Sequence, residues 1–231
     1  TTNLEGGFTI NDHQKEWGGY SQSDPKRVDS ITARAIKFID KSIQAERPFF
    51  IQISHYALHS DLVYSEATYH AVKKREIGKL HFNSAYAAMI EDLDRSIGTL
   101  LNAYDAMDLK ENTYLIFTSD NGGMPCLPIQ LNKGRPYQLG LNAPLLRGKW
   151  DLTEGGIRVP FAAIGPNIPA RSQSNEPVIS YDLLPTIADL AGAMEKLPKD
   201  LDGRSFRPLF YNPHAKIPRP PEGLVLSLIH I

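Results

Sequence analysis

Thr113-Tyr-Leu-Ile-Phe-Thr-Ser-Asp-Asn-Gly-Gly123 opens as a β-branched and aromatic run and breaks off at Asp120, Asn121, Gly122 and Gly123. That change predicts a strand over 113–118 ending in a polar turn. Upstream, Phe82, Tyr86, Met89, Ile90, Leu93, Ile97, Leu100, Leu101 and Tyr104 recur at spacings of three and four, so a long amphipathic helix feeds this strand. The same alternation occurs earlier. Val28, Ile31, Ala35, Phe38, Ile39 and Ile43 form a helical stripe that Pro48 ends, and Phe49-Phe-Ile-Gln-Ile53 has the length and aromatic content of a buried strand. A third apolar strand is expected from Val159 to Ile164, and a helix from about Asp182 to Ala191, closed by Gly192. Helices alternating with strands predict an α/β fold with a largely parallel sheet. In such sheets ligands bind beyond the carboxyl ends of the strands, and two polar clusters fall there: His55 with His59, and Asp120 with Asn121.

Composition narrows the partners. With 42% hydrophobic and 22% charged residues, the 231-residue chain has the make-up of a globular protein able to bury a core. A formal net charge of −1, with no long Lys/Arg run, leaves no electrostatic footprint for nucleic acid or an anionic membrane surface. From Thr1 onward neither a signal peptide nor a membrane span can be read. The single cysteine, Cys126, excludes an internal disulfide framework and leaves the compartment open.

Asp120 and Asn121 offer a carboxylate and an amide carbonyl, hard oxygen donors suited to Ca²⁺ or Mg²⁺. Asp and Asn-Gly are also favoured turn residues, so without its context the pair reads first as an Asx turn. Its surroundings carry more information. Thr118-Ser-Asp-Asn-Gly-Gly123, then Pro144-Leu-Leu-Arg-Gly-Lys149, then Glu154-Gly-Gly-Ile-Arg-Val-Pro160 closely resemble the pattern of the sulfatase family. Arg47-Pro-Phe-Phe50 leading to Ala57-Leu-His59, Asp94 with Gly98, Tyr181-Asp-Leu-Leu-Pro-Thr186 and Leu201-Asp-Gly-Arg-Ser205 match it in order and approximate spacing, from about Ser30 to Leu209.

The resemblance implies an alkaline-phosphatase-like sandwich, its largely parallel central sheet flanked by helices and incomplete at both ends of this chain. Asp120 and Asn121 would then be two ligands of a divalent cation, Ca²⁺ in preference to Mg²⁺. The family takes its other ligands from an N-terminal region, together with a nucleophile, a formylglycine made within Cys/Ser-x-Pro-x-Arg; this region is expected upstream of Thr1, leaving the chain inactive by itself. Lys149 matches the lysine that binds a sulfate oxygen, where an ammonium stabilises developing charge. His59 matches the histidine of the family's Ala-Pro-His-x-Pro segment, placed to bind sulfate or to protonate the leaving alcohol. Both prolines of that segment are replaced here, by Leu58 and Ser60. His55 is a stand-in for His59, or a polar residue at a strand end satisfied by backbone groups; Asp94 reads as a charge on a helix face.

Two look-alikes of the nucleophile motif fail on context. Ser23-Asp-Pro-Lys-Arg27 satisfies Ser-x-Pro-x-Arg but opens an ordinary helix, where Ser, Asp and Pro are capping residues. Cys126-Leu-Pro-Ile-Gln130 ends in Gln130 and follows the metal pair. Residues 1–215 are expected to form the rear part of a catalytic domain, and 216–231 the start of a C-terminal subdomain or a non-native tail, so His230 is not read as a ligand. The resemblance implies a sulfuric ester hydrolase acting on a sulfated small molecule or glycan, and an exported protein, periplasmic, secreted or lysosomal. The alternatives are a phosphate mono- or diester hydrolase of related fold and a catalytically dead protein that binds sulfated glycans. The loop from Met124 to Asn142 carries no motif that names the substrate, and nothing in the sequence sets the oligomeric state.

Overall fold

The computed structural model describes residues 19–59, 61–76, 83–123, 142–221, 223, 224 and 226, with the backbone alone of 3–4, 8–10 and 17–18. Ser60, Phe82, Cys126, residues 124–141 and His230 lie outside the described residues. The chain divides into two compact units, Thr1–Leu109 with Asn121–Arg158, and Lys110–Asp120 with Val159–Ile231.

In the first unit, β1 (Asn3–Leu4), β2 (Phe8–Ile10) and β3 (Trp17–Gly18) form an antiparallel ribbon, and β4 (Tyr20–Ser21) pairs in parallel with β5 (Val63–Tyr64). The first predicted helix is α1 (Val28–Gln44), which buries Val28, Thr32, Ala35 and Ile39. Asp24 caps its start, accepting from the Asp29 and Ser30 amides at 3.0 and 3.2 Å and from the Ser30 hydroxyl. Ser23 is exposed beside it, so Ser23–Arg27 is helix-start chemistry. Two bonds close the other end, Glu46 N to Ile43 O and Arg47 N to Ser42 O, with Glu46 at φ 51°. This Schellman arrangement stops the helix before Pro48 is reached.

The short α2 (Glu66–Lys73) follows, capped by Ser65, and then α3 (Ser84–Ala106), whose first amides are capped by Asn83 accepting from Tyr86 N at 2.9 Å. Asp92 on α3 accepts from the Ser65 amide and hydroxyl at 2.6 and 2.9 Å, from Thr68 at 2.7 Å and from Arg95 at 2.8 Å. One buried carboxylate thereby holds the start of α2 against α3. Packing of α1 on α3 is fastened by Ser96, which donates to Val28 O at 2.9 Å and shares a hydroxyl–hydroxyl bond with Thr32 Oγ1 at 2.8 Å. A second core joins Leu62, Ala85 and Met89 to Ala57, Leu58, Tyr64, Tyr69 and Tyr86. The short α4 (Glu154–Ile157) completes the unit.

The second unit pairs β6 (Leu115–Thr118) with β7 (Phe161–Ile164) antiparallel, Leu115 opposite Ile164 and Thr118 opposite Phe161. Its core is Phe206, Phe210 and Ile217, packed by Tyr114, Ile116, Ala163, Leu183, Leu190 and Leu209 from these strands, from α5 (Leu183–Leu190) and from α6 (Arg207–Tyr211). At its centre Asp182 is wholly buried and receives both guanidinium nitrogens of Arg219 at 2.7 and 2.6 Å, Arg204 N at 2.8 Å and Ile179 N at 3.0 Å. Thr186 bridges Asp182 O and Phe206 N at 2.7 and 2.9 Å. Tyr181–Thr186 and Leu201–Ser205 thus meet as a packing joint, in which a Cβ on Gly203 would stand 2.1 Å from Tyr181 O. Lys216, Ile217 and Arg219 belong to this unit, through Glu176, the apolar core and Asp182 respectively.

One expectation about a strand differs from the structure. Phe49–Ile53 forms no ladder among the described residues, although exposure alternates along it, with Ile51 and Ile53 half-buried and Phe50 and Gln52 exposed. Among the described pairs only β4 and β5 run parallel. An apolar run reports burial and extended backbone, but not the direction of its neighbour, which the connections set.

Candidate active site

His59 sits at the end of a tight turn, its amide donating to Tyr56 O at 2.9 Å. Ala57 and Leu58 pack against the Leu62, Ala85 and Met89 core, so an apolar anchor holds the loop where a proline was expected. Lys149 is held by its backbone, its amide donating to Gly123 O at 2.9 Å. The two side chains meet: Lys149 Nζ lies 3.3 Å from His59 Nε2. An ammonium has donors only, so this contact uses the Nε2 lone pair and places the imidazole proton on Nδ1.

Asn142 braces the Lys149 loop. Its Oδ1 accepts from Gly123 N at 2.9 Å, and its Nδ2 donates to Gly123 O and to Arg147 O, each at 2.8 Å. The glycines of Asn121–Gly123 and Glu154–Gly156 allow backbones to touch. Gly122 N donates to Gly156 O at 2.9 Å and Gly155 N to Leu146 O at 2.8 Å. An ideal Cβ on Gly122, Gly155 or Gly156 would fall 1.8, 2.2 or 2.0 Å from a neighbouring carbonyl oxygen, distances that only a residue without Cβ permits. Between these strands of loop, Arg147 and Trp150 take positive φ of 57° and 73°. Arg147 pairs with Asp151 at 2.6 Å, and that guanidinium, helped by the Thr153 amide, holds the Asp151 carboxyl below the usual carboxylate range.

Residues 6–193 match the family described as Sulfatase. The chain belongs to the sulfatase family. It is 32% identical over 204 residues to a sulfatase of Formosa agariphila, covering 80% of this chain and 34% of that protein. It is 34% identical over 192 residues to human steryl-sulfatase, covering 80% and 30% respectively. Against the crystal structure of Ps i-CgsB in complex with k-i-k-neocarrahexaose it aligns at 33% identity with a TM-score of 0.66, over 80% of this chain and 38% of that one. This sulfatase chain therefore spans about a third of the length of the proteins it matches. Its fold is the alkaline-phosphatase-like α/β fold.

Within this sulfatase fold Asp120 is exposed at the end of the β6 segment, with Ser119 Oγ 3.5 Å from its Oδ1. Asn121 donates from its amide nitrogen to Gly122 O at 2.8 Å. A carboxylate and an amide oxygen are the donor set of a hard cation. Among the described residues no group of three His, Cys, Asp or Glu side chains comes together as a metal site. His55 is half-buried with Nδ1 enclosed and unpartnered among the described residues, and burial pushes its pKa below the usual imidazole range. At Nδ1, backbone satisfaction is not found among the described residues. Asp94 is exposed on α3. No helix among the described residues is long and apolar enough to cross a membrane.

Asn142 and Trp150 are the site residues that sequence reading missed. Neither residue type signals such a role: Asn142 acts through backbone partners 5 and 19 residues away, and Trp150 acquires its setting from a positive φ.

Proposed function

We propose that the full protein carrying this chain is a sulfuric ester hydrolase acting on sulfated glycans, with Lys149 and His59 as its sulfate-holding pair. The observation that supports this reading is their 3.3 Å approach across 90 residues of sequence, at the two positions where the family motifs put them. The glycan assignment leans on the similarity to Ps i-CgsB, solved with a neocarrahexaose.

Lys149 Nζ carries three protons. One meets Nε2 of His59, and the others are left for sulfate oxygens, where a fixed ammonium offsets the charge that grows as the ester bond breaks. A sulfate drawn to Nζ frees the Nε2 lone pair. Once protonated there, His59 binds the ester from the same side and delivers the Nε2 proton to the bridging oxygen as the sulfur–oxygen bond breaks, so that the alcohol leaves neutral. Asp120 and Asn121 are the residues that would hold a divalent cation, Ca²⁺ in preference to Mg²⁺, which supplies polarisation of the sulfate when bound. The nucleophile, a formylglycine, is assigned to the parent protein outside these residues. By family resemblance the protein is exported.

Sulfate release from sulfated oligosaccharides by the full-length protein tests the reading. Lys149→Ala is expected to lower kcat by about a hundredfold or more. His59→Ala is expected to hurt alkyl esters more than aryl esters, whose leaving groups need no proton. Chelation is expected to remove activity and calcium to restore it. Phosphate release without sulfate release, or oligosaccharide binding with no turnover, would overturn it.

A further inference from the structure

We infer that Trp150 is a platform for the sugar ring that bears the sulfate, and so selects pyranoside esters; this rests on the sulfatase reading of the Lys149–His59 pair. Trp150 follows Lys149 directly and remains 48% exposed. The Lys149 ammonium lies 5.9 Å from its ring centroid. A bulky residue at φ 73° is held against its own backbone preference. Such strain survives only where the surroundings over-determine it. Here they do: Asp151 N is bonded to Gly148 O at 3.1 Å, Arg147 to Asp151 at 2.6 Å, and Asn142 to Arg147 O at 2.8 Å. These contacts hold a large apolar ring, about half exposed, beside a cation.

Chemistry identifies the occupant. A sulfate oxygen on Lys149 Nζ places the ester-bearing carbon within a few bond lengths of the indole. The indole face is the negative part of its quadrupole. It suits the polarised C–H groups of a pyranose, with hydroxyls at the ring's edge free to accept from the indole N–H. A linear alkyl sulfate presents no such face, and an aryl sulfate presents a second negative one.

The test uses the full-length protein with three esters: a sulfated oligosaccharide, 4-nitrophenyl sulfate and a short alkyl sulfate. Trp150→Ala is expected to raise KM for the oligosaccharide by about tenfold, the equivalent of one stacking contact, at least fivefold more than for the alkyl ester. Trp150→Phe, which keeps an aromatic face, is expected to restore most of that loss. Equal loss on all three esters, or loss on the aryl ester matching that on the oligosaccharide, would overturn the assignment. Calorimetric binding of the oligosaccharide to wild type and Trp150→Ala separates the two readings. If no ester is cleaved the sulfatase reading fails, while tenfold weaker binding by the variant still supports the platform and unchanged binding removes it.

Discussion

Replacing Asn142 by alanine removes three hydrogen bonds, to Gly123 N, Gly123 O and Arg147 O, at 2.8–2.9 Å. They are not equivalent. Gly123 O keeps the Lys149 amide at 2.9 Å, and the exposed Arg147 segment lets water replace the lost donor. Gly123 N–H is half-buried and loses the acceptor it has in Oδ1, which places most of the loss there, at roughly 1–3 kcal/mol for an unsatisfied group. A total of about 2 kcal/mol is expected, or about thirtyfold faster hydrogen exchange at the Lys149 amide, since tenfold is about 1.4 kcal/mol. Exchange followed by mass spectrometry in the full-length protein reads this locally, and urea unfolding reads it globally. Asn142→Asp keeps the Gly123 N–H bond but sets a carboxylate against two carbonyl oxygens. Its deficit is therefore expected to be largest at neutral pH and to shrink as the carboxylate protonates on acidification. Less than threefold change at Lys149, or a deficit in Asn142→Asp that grows toward acid, would refute the bracing role.

Arg219→Ala strands the wholly buried Asp182 carboxylate, and a loss of about 3–5 kcal/mol in urea unfolding is expected, partly regained when Asp182→Asn is added. Burial acts to raise the Asp92 carboxyl, but hydrogen bonds from Thr68, the Ser65 amide, Arg95 and the Ser65 hydroxyl outweigh it and hold the group below the usual carboxylate range. Its folded pKa is depressed, so the stabilisation is present above the unfolded value of about 3.9 and is lost as pH falls through the folded one. Asp92→Asn is expected to flatten that acid limb in a pH series of unfolding midpoints; an unchanged limb would show that other carboxylates set it.

Legibility followed the number of residues that vote together. In α1 and α3, six to nine apolar positions share a stripe, and both helices lie where the stripe puts them. In α2, eight residues bury none of their side chains. Tyr69 is its anchor on the Leu62, Ala85 and Met89 core, and its start is held by Ser65 and by Asp92, 27 residues from its cap. Phe49–Ile53 has a strand's alternation, but a ladder needs a second chain segment, which one segment's pattern does not report.

By itself the sequence marked the two glycine-rich motifs around Lys149, because backbone contact at 1.8–2.2 Å from a would-be Cβ leaves glycine as the single option. It also located the two long helices, although Phe38, Ile43, Ile90 and Leu101 of their stripes stay exposed and Ala85 and Leu62, outside the stripes, join Met89 in the core. Only the tertiary structure decided that Lys149 and His59 touch, that Asn142 ties Gly123 to Arg147, and that Trp150 is half-exposed at φ 73°. Hydrogen bonds to backbone atoms and a single residue's dihedral carry no signature in residue spacing; they exist once distant segments have been packed together.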